Sequence, residues 1–306
     1  MKQATHRLMM IRPGSFRKNE QTADNSFQSG GQLSDHEIAD QAREEFDAFT
    51  DLLRDNGVDL IEFETEEDAD TPDAVFPNNW LSFHENGCAA IYPMKAPNRR
   101  AERREQLVYD VCNAWGLDLD EVLDFTEFEE HNRFLEGTGS MVLDRINKLC
   151  FAALSERTDE HAVELWCEQF GYTPVVFSTE LNGKPVYHTN VVLSIGTHFA
   201  VAALDVVPDP TERETVRKAV LSTGKILIEI SSNQLEAFAA NILEVNTAEG
   251  APLIVMSETA HKAFTAEQRS ELAKYGRLLP VNLTTIETYG GGSARCMLCE
   301  VFLPRI

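Results

Sequence analysis

A helical pattern of apolar positions that ends on a glycine and is followed by a short apolar strand recurs five times along the chain. The predicted helices span residues 35–56, 99–115, 159–170, 210–223 and 266–275, and the glycines that follow them are Gly57, Gly116, Gly171, Gly224 and Gly276. Glycine just past a helix stops it, because it adopts the left-handed conformation without a Cβ clash. Successive glycines are 59, 55, 53 and 52 residues apart. A near-constant period of this kind indicates a repeat architecture.

Each predicted module also contains two short apolar strands joined by a turn. The turns of four modules are predicted at residues 85–87, 145–147, 196–197 and 248–250, and the first contains Asn-Gly, a strong hairpin signal. The fifth hairpin is split, because the C-terminal stretch ARCMLCEVFL can pair with the N-terminal stretch HRLMMIRP. Such pairing would close a ring of modules and remove the edge strands.

The repeat predicts an α/β fold, a five-bladed pseudo-symmetric α/β propeller of ββαβ modules. The competing interpretation is an open doubly wound sheet, which would carry glycine-rich phosphate-binding turns between its strands and helices. The one glycine cluster, Gly290-Gly291-Gly292, lies near the last predicted strand and opens no helix. The pattern therefore favours the ring.

Composition narrows the classes of partner. The chain has 306 residues, 43% of them hydrophobic, and 50 acidic against 27 basic side chains, for a net charge of −23. That balance argues against a nucleic-acid partner, and no apolar run approaches the roughly 18 residues of a membrane span. The six cysteines are spread thinly, which indicates reduced thiols and a cytoplasmic location.

Equivalent positions of the five modules carry side chains with catalytic chemistry. Counted from the terminal glycine of each module, Asn79, Glu136, His188, Asn241 and Cys296 lie 17–22 residues on, just before each hairpin. A ring of repeats would bring these positions to one end of its axis, in one central pocket. Cysteine, histidine and glutamate together supply a thiolate, a proton donor or acceptor, and a carboxylate, which nucleophilic catalysis requires.

Several motifs around these positions resemble a known superfamily. The stretch GGGSARCM (290–297) resembles the nucleophile motif of arginine deiminases, LEGTGS (135–140) their Glu-Gly-Gly-Asp motif, and YHTN (187–190) their His-x-Asp motif. DAVFPNNW (73–80) is similar to a dimethylarginine-hydrolase stretch, and APNRR (96–100) and LSERT (154–158) also have counterparts. The chain thus resembles the amidinotransferase/arginine deiminase superfamily of pentein propellers. It is closest to the citrulline-utilisation hydrolase type and is related to dimethylarginine dimethylaminohydrolase.

The resemblance implies a single amidinotransferase-like domain over residues 1–306 and a cofactor-free site. The implied catalytic residues are Cys296, His188 and Glu136, and the implied substrate-binding residues are Asn79, Asn190, Asn78, Asp73, Arg157, Arg99 and Phe76. An imidazolium is expected to lower the pKa of the nucleophilic thiol. One of the arginines is expected to hold a substrate carboxylate bidentately. No metal or organic cofactor is implied.

Departures from the superfamily pattern bear on the substrate. Asn79 and Asn190 stand where the superfamily usually has two aspartates against a guanidinium, Asn78 replaces a glutamate, and the aspartate of Glu-Gly-Gly-Asp is missing or displaced. Asparagine offers a donor and an acceptor, which suits a neutral ureido group, whereas a buried guanidinium needs carboxylates. We therefore expect a cysteine hydrolase that acts on a C–N bond of a small ureido or guanidino amino acid, converting citrulline to ornithine, ammonia and CO2.

Other functions stay open on the sequence. Some dihydrolases of this superfamily tolerate asparagine and still start from a guanidinium, so an arginine deiminase or dihydrolase is one alternative. An amidinotransferase acting on an arginine derivative is another, and a non-catalytic propeller that serves as a binding scaffold is a third. The partner is expected to be a small molecule, with no nucleic acid and no membrane. The oligomeric state is open, with a homodimer as one option.

Overall fold

The strands of the protein are short and regularly spaced. A computed structural model describes residues 2–66 and 69–306. Within these residues the strands are β1 (Arg7–Arg12), β2 (Asp59–Glu64), β3 (Leu81–Phe83), β4 (Cys88–Ile91), β5 (Glu121–Asp124), β6 (Val142–Asp144), β7 (Leu149–Leu154), β8 (Thr173–Ser178), β9 (Leu193–Ile195), β10 (Phe199–Ala202), β11 (Ile226–Glu229), β12 (Leu243–Asn246), β13 (Pro252–Ser257), β14 (Arg277–Val281) and β15 (Cys299–Glu300).

Helices alternate with these strands. The described helices are α1 (Asp35–Asp55), α2 (Pro97–Arg100), α3 (Gln106–Trp115), α4 (Gly137–Ser140), α5 (Glu160–Phe170), α6 (Thr189–Val192), α7 (Pro210–Ser222), α8 (Ser232–Glu236), α9 (Glu258–Ala263) and α10 (Ala266–Leu272). The longest, α1, begins at a capping box in which Ser34 and Glu37 satisfy each other's backbone N–H groups. Its apolar side, including Phe46 and Phe49, is fully buried. No helix in the described parts of the chain is long and apolar enough to cross a membrane.

The strands form five separate three-stranded sheets of one design. In each sheet an antiparallel hairpin is extended by a parallel third strand, as in β3–β4–β5, β6–β7–β8, β9–β10–β11 and β12–β13–β14. Helices α3, α5 and α7 make the parallel crossovers of the first three, and α9 with α10 that of the fourth. The fifth sheet, β15–β1–β2, joins the chain ends, with Leu8 opposite Glu300 in an antiparallel pair.

The five predicted modules, their four continuous hairpins and the split hairpin of the chain ends are confirmed. The mixed α/β class is therefore correct. No sheet within the described residues closes on itself. The propeller arrangement of the modules, and the assignment of residues 1–306 to one domain, stay predictions.

Two local predictions were wrong. The helix expected over residues 99–115 is divided into α2 and α3, and Arg99 in α2 is buried in contacts with Glu102 and Asn79. Gly276 does not adopt the left-handed conformation that Gly116 adopts after α3. A Cβ at Gly276 would instead lie 3.1 Å from the Pro252 carbonyl oxygen, so this glycine allows close approach of neighbouring backbone.

Candidate active site

Short helical turns that precede the hairpins carry the candidate residues. They are the 3-10 turns Pro77–Asn79 and Ala294–Met297 and the one-turn helices α4 and α6, and they pack against one another. Glu136 and His188 occupy the N-cap positions of α4 and α6. Each of these turns directly precedes the hairpin of one module. The repeat therefore places their side chains close together.

The Cys296 thiol is 2% exposed and is surrounded by carboxamides. Its Sγ accepts hydrogen bonds from Asn241 Nδ2 at 3.3 Å and Asn190 Nδ2 at 3.5 Å. Burial raises the pKa of Cys296, although the Ser293 backbone, Asn241 and Arg295 act in the opposite direction. The cysteine therefore rests as a neutral thiol, which differs from the expectation that an imidazolium lowers its pKa.

His188 is paired with Glu136 instead. Its Nε2 lies 2.8 Å from Glu136 Oε2, and both side chains are buried. Burial opposes the charge of Glu136, but Arg157, His188 and Arg99 outweigh it and lower the pKa of this carboxyl. Burial lowers the pKa of His188 against the opposing effect of Glu136. A neutral imidazole beside a carboxylate donates through Nε2–H, which assigns Nδ1 as the free acceptor.

Two arginines flank the Glu136 carboxylate, and both are already paired. Arg99 lies 3.7 Å and Arg157 3.6 Å from Glu136 Oε2. Arg99 donates to both carboxylate oxygens of Glu102, at 2.9 and 3.0 Å, and to Asn79 Oδ1 at 2.9 Å. Arg157 forms a bidentate pair with Asp24 at 2.9 and 3.0 Å. Glu136 is therefore an electrically compensated carboxylate.

Asp73 differs from Glu136 in the hydrogen bonding of its carboxylate. It is 2% exposed, and its Oδ2 accepts a hydrogen bond from Asn19 Nδ2 at 2.8 Å. Its Oδ1 is buried without a hydrogen-bond partner among the described residues. Burial raises the pKa of Asp73, against the opposing effect of Arg99. A buried carboxylate oxygen without a hydrogen-bond partner is an exception among buried polar groups.

The glycines of the Glu-Gly-Thr-Gly-Ser stretch leave room for the site. A Cβ at Gly139 would lie 2.5 Å from Asn79 Nδ2 and 2.8 Å from His188 Nδ1. Ser140 follows the Glu-Gly-Thr-Gly stretch, and its hydroxyl accepts from the Glu136 N–H at 2.9 Å while donating to the Arg157 carbonyl at 2.7 Å. The altered motif thus still ties Glu136 to the backbone that bears Arg157.

A narrow cavity of about 10 Å³ opens between these groups. It is lined by Asn25, Asp73, Phe76, Asn79, Arg99, Arg157, Tyr187, His188, Gly290, Gly292 and Cys296. Phe76 forms its apolar wall, since a Cβ at Gly292 would lie 3.0 Å from that ring. Asn78 lies behind Asn79, where it accepts a hydrogen bond from Asn79 Nδ2 at 3.1 Å.

The segment 13–33 covers this cavity, and we call it the cover segment. Asn25 Nδ2 donates to the carbonyls of Gly290 and Gly291 at 3.4 and 3.3 Å, and the Ser29 N–H donates to the Thr288 carbonyl at 2.8 Å. Asp24, in the same segment, holds Arg157 as described above. The cover segment therefore contacts both Arg157 and the loop 290–293, which precedes Cys296.

All ten predicted site residues lie in this region. Cys296, His188, Asn79, Asp73, Phe76, Arg99 and Arg157 line the cavity, while Asn190, Glu136 and Asn78 contact lining residues directly. Four residues were not singled out from the sequence: Asp24, Asn25, Glu102 and Tyr187. The cover segment has no hydrophobic period, so no local signal assigns it to the site.

Five sheets of this design, together with a buried cysteine, histidine and glutamate, are typical of the pentein, or amidinotransferase, superfamily. More narrowly, the sequence profile of the family described as "N,N dimethylarginine dimethylhydrolase, eukaryotic" matches residues 12–303, so the chain belongs to that family. A search of curated protein sequences found no match.

Solved structures with the same fold have low sequence identity to this chain. The N-terminal domain of ArgZ, an arginine dihydrolase from the ornithine-ammonia cycle in cyanobacteria, superposes with a TM-score of 0.75 at 15% identity over 98% of this chain and 99% of that domain. The chain spans 41% of full-length ArgZ, with a TM-score of 0.73 at 14% identity and 98% of this chain covered. DDAH from Pseudomonas aeruginosa, complexed with citrulline, superposes with a TM-score of 0.66 at 18% identity over 97% of this chain and 99% of the DDAH chain. These likenesses show the fold.

Proposed function

We propose that the protein is a cysteine hydrolase that converts citrulline to ornithine, ammonia and CO2, with Cys296 as nucleophile. The observation that carries this proposal is the pair of carboxamide donors on Cys296 Sγ, from Asn241 and Asn190. Within the described parts of the chain, neither side chain that donates to Sγ is charged. A carboxylate there would instead suit a guanidinium.

Attack on a ureido carbonyl creates an oxyanion beside the sulfur. Preorganised N–H donors in a water-excluded site stabilise such charge strongly. Asn241 and Asn190 place N–H groups within 3.5 Å of Sγ, where the developing oxygen would lie. Attack on a guanidinium creates no oxyanion, so these donors favour the ureido substrate.

The protonation states support a proton transfer from thiol to imidazole. The Cys296 thiol gives its proton to His188 Nδ1 as sulfur bonds to the ureido carbon, and His188 passes that proton to the leaving nitrogen, which departs as ammonia. Water then attacks the enzyme-bound thiocarbamate and gives a proton back through His188 to sulfur. The released carbamate loses CO2 and leaves ornithine. Glu136 stabilises the transient imidazolium across the 2.8 Å hydrogen bond.

Charge compensation also favours a neutral group at the reacting end. Arg99 and Arg157 already lie within 4 Å of the Glu136 carboxylate. A substrate guanidinium would be a third cation beside the same carboxylate. It would lose its hydration, and the Glu136 charge that could offset this cost is already shared with the two arginines. Citrulline avoids this cost, because its ureido group is neutral.

A second candidate is a dihydrolase or deiminase that starts from arginine, and it is compatible with the state of Asp73. Asp73 Oδ1 is buried in the cavity wall without a partner among the described residues. A substrate guanidinium or ammonium would satisfy it. Citrulline also carries an α-ammonium group, so Asp73 alone does not distinguish the two substrates.

A comparison of substrates tests the proposal. We expect kcat/KM for citrulline to exceed that for arginine by at least tenfold, which corresponds to about 1.4 kcal/mol. Product analysis should show ornithine and ammonia from citrulline. The double variant Asn79→Asp, Asn190→Asp should shift the preference toward arginine, at some cost in absolute rate because the reacting carbon is displaced. A wild-type protein that deiminates arginine and ignores citrulline would contradict the proposal.

The Asp24–Arg157 pair yields a prediction about substrate binding. The bidentate geometry shows that the buried Arg157 guanidinium accommodates a carboxylate, and we propose that the substrate α-carboxylate displaces Asp24. Asp24→Asn should then lower KM for citrulline by roughly five- to tenfold, equivalent to about 1–1.4 kcal/mol, with kcat little changed. Steady-state kinetics measure this.

The matched control is Asp70→Asn. Asp70 forms a similar bidentate pair with Arg17 of the cover segment, at 2.6 and 3.1 Å, but away from the cavity. It should leave KM unchanged. If Asp24→Asn raised KM, Asp24 would be a substrate contact and not a competitor of the substrate carboxylate.

A further inference from the structure

A π-helical turn, Ile286–Gly290, leads into the loop that precedes Cys296. Turns of this kind are rare and are frequently found at functional sites. The Gly291 N–H donates to the Glu287 carbonyl at 3.0 Å, and Gly291 adopts the left-handed conformation, with a φ of 64°. This reversal brings the chain back over the turn, so that Ser293 lies against the side chain of Glu287.

Glu287 is a buried carboxyl that is held by hydroxyl groups. The residue is 6% exposed, and its Oε1 accepts a hydrogen bond from the Ser293 hydroxyl at 2.7 Å. The hydroxyls of Ser257 and Thr259, at the start of α9, also hydrogen-bond to this carboxyl. Burial raises the pKa of Glu287, and the three hydroxyls oppose that effect. Glu287 therefore ties the loop 290–293 to α9.

No cation accounts for the burial of this carboxyl. The buried Glu300, for example, pairs with Arg295 at 2.8 Å, whereas Glu287 forms no ion pair with any described residue. Its charged neighbour is Glu45 of α1; burial raises the pKa of Glu45, and Glu287 adds to that effect. Burying a carboxyl is costly, and an apolar residue in its place is often as stable or more so. What the hydrogen bonds of Glu287 hold in place is therefore the reason to look for a role.

Ser293 connects this carboxyl to Cys296. It is fully buried, and its carbonyl accepts a hydrogen bond from the Cys296 N–H at 2.9 Å. Burial raises the pKa of Cys296, and the Ser293 backbone opposes this more than any other group does. A backbone group favours a thiolate in this way by donating its N–H to it. The Ser293 side chain thus contacts Glu287 while its backbone contacts Cys296.

We propose that Glu287 is a positioning residue that acts through Ser293: its carboxyl holds the Ser293 hydroxyl, and the Ser293 backbone in turn holds Cys296 for attack. This inference rests on the proposed function, in which Cys296 is the nucleophile. Glu287 does not line the cavity at Cys296, so it is not a substrate contact. Donors that are fixed before the reaction stabilise developing charge without reorganisation, and a small displacement of a reacting atom is costly in rate.

Glu287→Ala and Ser293→Ala test this role. We expect each variant to lower kcat for citrulline at least about tenfold, because sulfur is no longer held for attack, with KM changed by less than about twofold. Each should also slow alkylation of Cys296 by iodoacetamide at least about fivefold between pH 6 and 9, because the thiolate loses a donor. Fragmentation mass spectrometry distinguishes the alkyl group on Cys296 from one on Cys299. If Glu287 acts through Ser293, the double variant should lose no more than the single variants.

The matched control is Glu244→Ala. Glu244 is also 6% exposed and forms no ion pair within the described parts of the chain. It accepts hydrogen bonds from the Thr197 N–H at 2.7 Å and the Thr197 hydroxyl at 2.6 Å, in the turn between β9 and β10. We expect this variant to lower Tm about as much as Glu287→Ala does, since it removes a similar buried carboxyl, but to leave kcat and the alkylation of Cys296 unchanged.

Glu287→Gln replaces Glu287→Ala if the latter does not fold. It should slow alkylation of Cys296 several-fold in the wild-type background and have no further effect in the Ser293→Ala background. The proposal fails if the folded Glu287 variant is alkylated as wild type is, or if the losses of the two single variants multiply in the double variant. Alkylation needs no substrate. A protein that ignores citrulline but shows these losses would therefore contradict the proposed function and still support the role of Glu287.

Discussion

Cys296→Ala is expected to abolish citrulline hydrolysis, leaving less than about 1% of wild-type turnover. The variant removes the only protein atom that the proposed mechanism bonds to the ureido carbon, and loss of a nucleophile removes the covalent route altogether. Binding should survive, because the carboxamides of Asn241 and Asn190 and the paired arginines remain. Turnover is measured by ammonia and ornithine release, and binding by calorimetry with citrulline.

Cys299→Ala provides the matched control. Cys299 lies three residues on, is equally buried, and its thiol donates to the Leu81 carbonyl at 3.5 Å. Burial raises its pKa to about 12, so it is a poor nucleophile. This control should retain activity, and both variants should melt close to wild type. Activity of the Cys296→Ala protein above about 1% of wild type would remove Cys296 from the mechanism.

His188→Ala should lower kcat by roughly 10²- to 10⁴-fold, the usual contribution of a positioned acid–base group. The residue would otherwise carry the proton from thiol to leaving ammonia and from water back to sulfur. The exposed His131→Ala serves as control and should behave as wild type. A His188→Ala protein within about tenfold of wild type would show that another group moves the proton.

The pH dependence of kcat/KM provides a separate test of the His188–Glu136 pair. Because burial lowers the pKa of His188 below its ordinary 6.5, the acid limb of kcat/KM should lie below pH 6.5. Glu136 acts to raise that pKa, so Glu136→Gln should move the acid limb to still lower pH. If activity instead rose steadily up to about pH 9, the ordinary pKa region of a thiol, the reaction would require a preformed thiolate.

Much of the fold and the residues of the candidate site could be predicted from the sequence. Helix stops at glycine, the Asn-Gly turn and alternating apolar runs act over a few residues, so they can be read locally. Their repetition then placed Glu136, His188 and Cys296 at equivalent positions, and the structure brings these positions together. The motifs added the two arginines and Asp73 by resemblance.

Only the tertiary structure determined the partners of those side chains. Arg157 is paired with Asp24, 133 residues away in the sequence. Cys296 accepts hydrogen bonds from the carboxamides of Asn241 and Asn190, 55 and 106 residues away. The separation of Arg157 and Asp24 leaves no periodic trace in the sequence, whereas the 55 and 106 residues between Cys296 and its two carboxamide partners are about one and two repeats. The protonation states follow the same rule, because burial and neighbouring charges set the pKa values of Cys296, His188 and Glu136. Residue types could therefore be listed from the sequence, whereas the hydrogen-bond partners of Cys296 and the pairing of His188 with Glu136 depend on which groups the folded chain places side by side.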